Sequence, residues 1–98
     1  MDVQNNKKIA PIFRKYNVSF AGLFGSRARG DFHRKSDYDF LVRFATIPSL
    51  VRLIRMENEL KDALDSNVDV IIEGDAKPFV KENLEKDLSI VYGQRPPV

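Results

Sequence analysis

Apolar and polar residues follow two different periods along the chain, and the two periods separate helices from strands. One helical pattern near the N-terminus consists of apolar residues at intervals of three and four: Ile9, Ile12, Phe13 and Tyr16. Because Pro11 lies early in this pattern, we expect the regular helix to begin near Pro11 and to end at Asn17.

A second helical pattern runs from about Pro48 to about Asp65, and Thr46 is its expected N-cap. The expected buried stripe consists of Leu50, Leu53, Ile54, Leu60 and Leu64. The side chains expected to face water are Arg52, Arg55, Glu59, Lys61 and Asp62. A last helix is predicted to begin near Lys77 and Pro78, with an inward face of Val80, Leu84, Leu88 and Val91.

Three short apolar runs predict strands over residues 18–24, 40–44 and 68–72. In the first strand, Val18, Phe20 and Phe24 are expected to share one face, and Gly22 to allow close packing. Residues 89–92 are compatible with either a helix end or a short strand, and residues 93–98 are typical of a flexible tail.

The order of these elements predicts the topology. The second and third strands flank a helix, so they should be parallel neighbours. The first strand should run antiparallel to the second, because the candidate site described next lies at the end of the first strand and at the start of the second. The prediction is an α/β (α+β) protein, with one domain over residues 1–98 and helices packed on a small mixed sheet.

The candidate site is the spacing Gly25-Ser26, ten residues, then Asp37-Tyr38-Asp39. Alternation along a strand points Asp37 and Asp39 the same way, and two such carboxylates repel each other unless a cation lies between them. Hard oxygen ligands favour Mg²⁺ or Mn²⁺. In proteins, Mg²⁺ is commonly bound by one or two carboxylates together with the phosphates of the substrate. Gly25 allows backbone to approach a ligand, and Ser26 can cap a helical turn that attracts an anion. The alternative is that both aspartates are solvated residues at the mouth of a strand.

A third carboxylate, Asp69, lies inside the β-branched run Val68–Ile72. Strand propensity disfavours aspartate, and a buried charge is costly without a partner. One interpretation is an edge strand with Asp69 facing water. The other places Asp69 beside Asp37 and Asp39, since parallel strands begin at the same end of a sheet, where it would bind a metal or accept a proton.

Two segments, Leu23 to Gly30 and Ser36 to Val42, resemble the signature of the minimal nucleotidyltransferases of the DNA polymerase β-like superfamily. The resemblance extends from about Ile9 to about Tyr92 and implies a palm-like nucleotidyltransferase fold. It also implies that Gly25 and Ser26 hold the nucleotide triphosphate. Asp37, Asp39 and Asp69 would be the catalytic and metal-binding carboxylates, with two Mg²⁺ ions, or Mn²⁺, and ATP as the substrate.

The family also implies a partner. Members pair with a small helical HEPN-domain toxin in prokaryotic toxin–antitoxin modules, and some transfer AMP to a tyrosine of that toxin. The resemblance therefore implies a type VII-like antitoxin. Two alternatives remain open at this point: an antitoxin that neutralises its toxin by contact alone, and a nucleotidyltransferase that acts on a small molecule.

Composition limits the kinds of site and the cellular compartment expected for this protein, but it does not identify the reaction. The chain has no cysteine, which excludes disulfides and thiolate metal sites, and it has neither a signal-peptide core nor a membrane-length apolar run. We therefore expect a cytoplasmic protein. The net charge of +2 is too small to argue for nucleic-acid binding. Local charge is more informative, because Arg27 and Arg29 follow the Gly-Ser turn closely enough to bind phosphate.

Overall fold

Two long helices pack on a four-stranded sheet in this protein, whose structure is a computed structural model describing residues 3–30, 37–73 and 88–94. The helices and the short turn between them are α1 (Val3–Lys15), α2 (Ser26–Arg29) and α3 (Leu50–Leu64). The strands are β1 (Val18–Phe24), β2 (Tyr38–Phe44), β3 (Val68–Ile72) and β4 (Ser89–Gly93). Over the described ranges, no helix is long and apolar enough to span a bilayer.

The sheet is mixed and has the strand order β3-β2-β1-β4. As predicted, β1 and β2 are antiparallel, and β2 and β3 are parallel through the α3 crossover. Residues 89–92 form a strand rather than a helix end, antiparallel to β1. Gly93 belongs to this strand and pairs with Phe20, so a tail can begin only after it. The helix predicted from Lys77 lies outside the described residues.

The main core lies between the two long helices and one face of the sheet. Phe13 of α1, Phe40 of β2 and Leu60 of α3 are fully buried in it. The rings of Phe13 and Phe40 meet edge to face, with centroids 5.7 Å apart. A smaller cluster on the opposite sheet face contains Phe20 and Leu41, so the two faces have separate packing.

Helix α1 begins at Val3, eight residues before Pro11, and the prediction of a start near Pro11 was wrong. Proline removes the N–H that would bond to the carbonyl of Lys7. Lys7 and Pro11 are both exposed, so water can solvate that carbonyl and the helix continues. The predicted end was right, because Asn17 adopts the left-handed conformation at φ 61° just past Lys15.

Helix α3 differs from prediction in its cap and in its buried face. Ser49 is the N-cap, and its hydroxyl accepts a hydrogen bond from the Arg52 N–H at 3.3 Å, a role predicted for Thr46. Leu50 and Ile54 were expected inside but are 71% and 49% exposed. Leu60 and Leu64 are buried as predicted, and Met56, which was not predicted, is buried with them, because the sheet lies against that side.

A third correction concerns β1. The pairing of β1 with β2 is irregular between Val18 and Phe20, where an extra residue interrupts the alternation. Val18 therefore packs in the helix-side core, whereas Phe20 packs in the cluster on the opposite face. The predicted close packing at Gly22 is confirmed, because a β-carbon there would lie 2.5 Å from Leu88 Cδ1.

The exposed and buried leucines of α3 provide a direct test of this packing. Leu60→Ala should destabilise the protein by about 2–5 kcal/mol, because it opens a cavity in the core. Leu50→Ala, the same chemical change on the same helix, should shift the free energy of unfolding by no more than about 0.5 kcal/mol. Urea unfolding measures both values. Equal losses would mean that Leu50 is packed.

Candidate active site

The candidate site is built where β1 ends and β2 begins. In the sheet register, Asp39 of β2 lies opposite Phe24 of β1 on one side and opposite Asp69 of β3 on the other. The residues on either side of Asp39, Tyr38 and Phe40, point into the helix-side core. Because side chains alternate, Asp39 and Asp69 project from the sheet face opposite α1 and α3.

This register confirms the predicted convergence of Asp39 and Asp69. Both interpretations of Asp69 are correct in part. Strand β3 is at the edge of the sheet and Asp69 is exposed, as the first interpretation required. Asp69 also lies directly beside Asp39 on the neighbouring strand, as the second required. An exposed edge position gives a solvent-borne ligand access to the paired acids.

The third acid, Asp37, immediately precedes β2 and is exposed. Its charge reaches the same site. Partial burial raises the pKa of Asp39 above its ordinary value of 3.8, and the neighbouring charges of Asp69 and then Asp37 raise it further. The three carboxylates therefore form one electrostatic cluster with Asp39 at its centre.

The chemistry of this cluster fits a divalent cation, although its side chains are not already arranged around one. In residues 3–30, 37–73 and 88–94, no three acidic or imidazole groups stand close enough together to hold a metal ion. Carboxylate oxygens are the donors that Mg²⁺ prefers, and a cation would relieve the repulsion at Asp39. Asp37 and Asp69 are exposed, so their side chains can rotate toward an ion without displacing packed atoms.

Gly25 is required at this site because its backbone lies against the central carboxylate. A β-carbon at Gly25 would stand 2.6 Å from Asp39 Oδ2, closer than real β-carbons approach any atom. The residue also has φ +76°, which L side chains rarely adopt. The predicted close approach at Gly25 is therefore present, and what it approaches in this structure is Asp39.

The turn after Gly25 is helical, as predicted, and α2 begins at Ser26. The Gly25 carbonyl accepts a hydrogen bond from the Ala28 N–H at 3.1 Å, which closes the turn. Arg27 lies with its guanidinium carbon 4.2 Å from the centroid of the Tyr38 ring. The side chains of Ser26 and Arg29 fall outside the description, and the nucleotide-binding roles of Gly25, Ser26, Arg27 and Arg29 stay predictions.

Sequence reasoning missed two residues at this site. Tyr38 lies between the two aspartates, and nothing in the motif indicates that Arg27 would cover its ring. Glu57 of α3 has its pKa raised by partial burial, with a further contribution from the charge of Asp69. No periodic signal could have linked Glu57 to Asp69, because their proximity depends on how α3 crosses the sheet.

A groove of 410 Å³ elsewhere on the molecule is lined only by residues at the end of α1 and along α3. There the Tyr16 hydroxyl donates to Glu59, and Lys15 Nζ lies 2.7 Å from the other carboxylate oxygen. Glu59 was expected to face water but links α3 to α1. The groove contains none of the predicted site residues and is separate from the carboxylate cluster.

Comparison with known proteins identifies the class to which this fold and site belong. Residues 7–96 match the model of the family described as polymerase beta, nucleotidyltransferase. The chain therefore belongs to this nucleotidyltransferase family. The predicted palm-like fold and the family resemblance are both confirmed.

Two archaeal relatives are more specific. A Methanocaldococcus jannaschii protein, assigned provisionally as a protein adenylyltransferase, is 38% identical over 90 residues, covering 91% of this chain and 90% of its own length. Protein adenylyltransferase MntA of Thermococcus cleftensis is 33% identical over 78 residues, covering 80% of this chain and 77% of its own length.

Solved structures share the fold. A toxin–antitoxin structure with AMP-PNP has a TM-score of 0.79 at 27% identity, covering 93% of this chain and 75% of the other. The complex of a tri-AMPylated Shewanella oneidensis HEPN toxin with its MNT antitoxin has a TM-score of 0.70 at 23% identity. That match covers 92% of this chain and 71% of the other, and it shows the fold alone.

The raised pKa of Asp39 predicts how stability depends on pH. The native state holds the Asp39 proton more tightly than the unfolded chain does, so ionised Asp39 destabilises the metal-free protein at neutral pH. Asp39→Asn should therefore stabilise it by about 0.5–1 kcal/mol at pH 7, the scale of modest charge interactions. The gain should shrink as pH falls through the raised pKa of Asp39 towards 3.8, because both side chains are then neutral.

Thermal melts in EDTA across this pH range measure the effect, and Asp62→Asn is the matched control. Asp62 is an exposed carboxylate on α3, so its removal makes the same change in net charge away from the cluster. An equal gain from both substitutions would mean that net charge, rather than crowding at Asp39, sets the effect.

Two glycines allow the contact with Asp39 to be separated from backbone strain. Gly25 and Gly30 both have positive φ, at +76° and +85°, but a β-carbon at Gly30 would meet nothing within 4 Å. Each change to alanine should cost about 1–2 kcal/mol for its left-handed backbone. Gly25→Ala should cost more, because it also displaces the Asp39 carboxylate.

Urea unfolding of the two variants measures the difference, and Asp39→Ala supplies the cross-check. Once the Asp39 carboxylate is removed, Gly25→Ala and Gly30→Ala should be equally destabilising. A Gly25→Ala penalty that is unchanged in the Asp39→Ala background would show that the 2.6 Å approach is not what constrains this position.

Proposed function

We propose that this chain is a Mg²⁺-dependent protein adenylyltransferase that transfers AMP from ATP to a tyrosine hydroxyl of a HEPN-type toxin and thereby acts as its antitoxin in the cytoplasm. The observation that supports the chemistry best is the pairing of Asp39 with Asp69 on the sheet face opposite α1 and α3, with Gly25 against Asp39. The protein adenylyltransferase names of the archaeal relatives support AMP as the transferred group.

In the proposed reaction, Asp37, Asp39 and Asp69 hold the metal, with Mn²⁺ as a possible substitute for Mg²⁺. A bound ion would supply Lewis-acid chemistry at the attacking hydroxyl and at the leaving group. Gly25 and Ser26, with Arg27 and Arg29, bind the triphosphate. The acceptor oxygen forms a bond to the α-phosphorus as the bond to the bridging oxygen breaks, and pyrophosphate leaves. Asp69 accepts the hydroxyl proton, since its carboxylate is exposed on the edge strand beside Asp39.

The proposed partner follows from the structural neighbours. One of them is an MNT antitoxin bound to an AMPylated HEPN toxin, and another is a toxin–antitoxin structure with AMP-PNP. In the present chain, Asp69 of the site is exposed on the edge strand β3. Such a site is accessible to a side chain presented by a second protein.

The proposal predicts which phosphate of ATP reaches the partner. With Mg²⁺ and a purified HEPN-type toxin, ATP labelled at the α-phosphate should label the HEPN protein, and ATP labelled at the γ-phosphate should not. Asp39→Asn should reduce labelling below detection, because it removes the central carboxylate. Asp62→Asn, the charge-matched control, should leave it unchanged. Mass spectrometry should place one AMP increment on tyrosine.

Other outcomes discriminate among the hypotheses. Transfer from γ-labelled ATP would indicate a kinase and contradict the proposed reaction. Preferential labelling of a free small molecule would instead favour a small-molecule nucleotidyltransferase.

Neutralisation by contact is a second candidate function, and an exposed surface favours it. At the start of α3 the structure exposes four large apolar side chains: Ile47, Leu50, Val51 and Ile54. Adjacent exposed apolar side chains of this kind can mark a protein interaction surface. Such a surface could neutralise a toxin with or without chemistry.

Asp39→Asn separates the two candidates in cells that express the toxin. If the chemistry is the antidote, the variant should still bind the HEPN protein but should lose protection. Full protection by a variant that transfers no AMP would show that contact alone neutralises. Leu50→Gln with Ile54→Gln tests the α3 surface, and should weaken the complex only if that surface is used.

A further inference from the structure

Tyr38, the residue between Asp37 and Asp39, has no role in the proposed reaction, but its side chain makes several specific contacts. Its side chain is 6% exposed and belongs to the helix-side core. The guanidinium carbon of Arg27 lies 4.2 Å from the centroid of its ring. The ring also stacks at 7° on Phe40, and its hydroxyl accepts a long hydrogen bond of 3.4 Å from Asn5 Nδ2 of α1.

The contact between Arg27 and Tyr38 joins the two halves of the nucleotide motif. Arg27 is the second residue of α2, immediately after the Gly25-Ser26 turn, and Tyr38 is the first residue of β2. These positions flank most of the ten-residue interval between Ser26 and Asp37. A contact across that interval restricts how far the turn can move from the carboxylates.

Gly25 and Arg27 contact the start of β2 from opposite faces of the sheet. Gly25 lies against Asp39, which projects from the face opposite α1 and α3. Arg27 lies on the ring of Tyr38, which projects into the helix-covered face. Successive residues of a strand point to opposite faces, so these two contacts constrain the turn in different directions.

We propose that Tyr38 is a positioning residue for nucleotide binding: its ring holds Arg27, and through α2 it holds the Gly25-Ser26 turn in register with Asp39. Tyr38 is enclosed in the core and does not touch the reacting atoms. The flat ring offers the guanidinium a stacked, partly desolvated contact that an aliphatic side chain cannot. This inference rests on the proposed function, because it assigns the turn to the triphosphate.

The test is a double-mutant cycle on nucleotide affinity. The probe is α,β-methylene-ATP with Mg²⁺, in which the bond broken by nucleotidyl transfer is replaced, titrated calorimetrically into the full chain. Tyr38→Leu should weaken binding by roughly three- to tenfold, the range that a cation–π contact supplies. Arg27→Ala should weaken binding at least as much, because it also removes a group proposed to bind the triphosphate. The double variant should be no weaker than the weaker single variant, because both changes remove the same contact.

Three further variants separate positioning from general packing. Tyr38→Phe keeps the ring and should bind nucleotide like the wild type, as should Asn5→Ala, which removes only the hydrogen bond to the Tyr38 hydroxyl. Phe13→Leu makes the same aromatic-to-leucine change in the same core, on α1 rather than on the strand of Tyr38. It should lower the melting temperature and leave nucleotide affinity unchanged. In the transfer reaction, Tyr38→Leu should raise KM for ATP and leave kcat unchanged.

The outcomes that overturn the inference are distinct from those that overturn the function. Additive effects of Tyr38→Leu and Arg27→Ala, or equal weakening by Phe13→Leu, would show that Tyr38 is a packing residue only. A wild-type chain that binds no nucleotide with Mg²⁺ would refute the proposed function, and the positioning role with it.

Discussion

The crowding of carboxylates around Asp39 is the constraint on which the rest of this site depends. Asp39 is partly removed from water, and both Asp69 and Asp37 add their charges to it. Like charges so arranged raise the free energy of the metal-free protein. The fold tolerates this cost because the same strand buries Phe40 and Val42 on its other face. The repulsion that the apo protein carries is what a bound cation would relieve.

The two faces of the sheet therefore have different tasks. The helix-side face is packed by α1 and α3 and holds the strands in register. That register, in turn, places Asp39 beside Asp69 on the opposite face. A slip of one residue between β2 and β3 would turn the acid of the slipped strand toward the helices and bury its charge. Hydrophobic packing on one side thus enforces the geometry of the carboxylates on the other.

Local signals predicted some boundaries well and others poorly. The bounds of β1 and β3 were predicted correctly, because each apolar run is delimited by residues that favour turns, such as Asn17 and Gly25. The start of α1 was not predicted correctly. Proline often begins a helix, but Pro11 lies inside α1 at an exposed position, where its missing N–H costs little. The cap of α3 had two candidate hydroxyls, and only the structure distinguishes Ser49 from Thr46.

The sequence by itself determined the periodicity of each element, the spacing of Gly25-Ser26 and Asp37-x-Asp39, and the strand position of Asp69. Those are local properties, and they were sufficient to indicate the family. The tertiary structure decided which face of α3 is buried, because Leu50 and Ile54 form an equally periodic stripe and only the position of the sheet selects between them. It also decided that Gly25 approaches Asp39 and that Arg27 covers Tyr38. Contacts between distant segments depend on strand register and helix crossing, which periodicity along one segment does not encode.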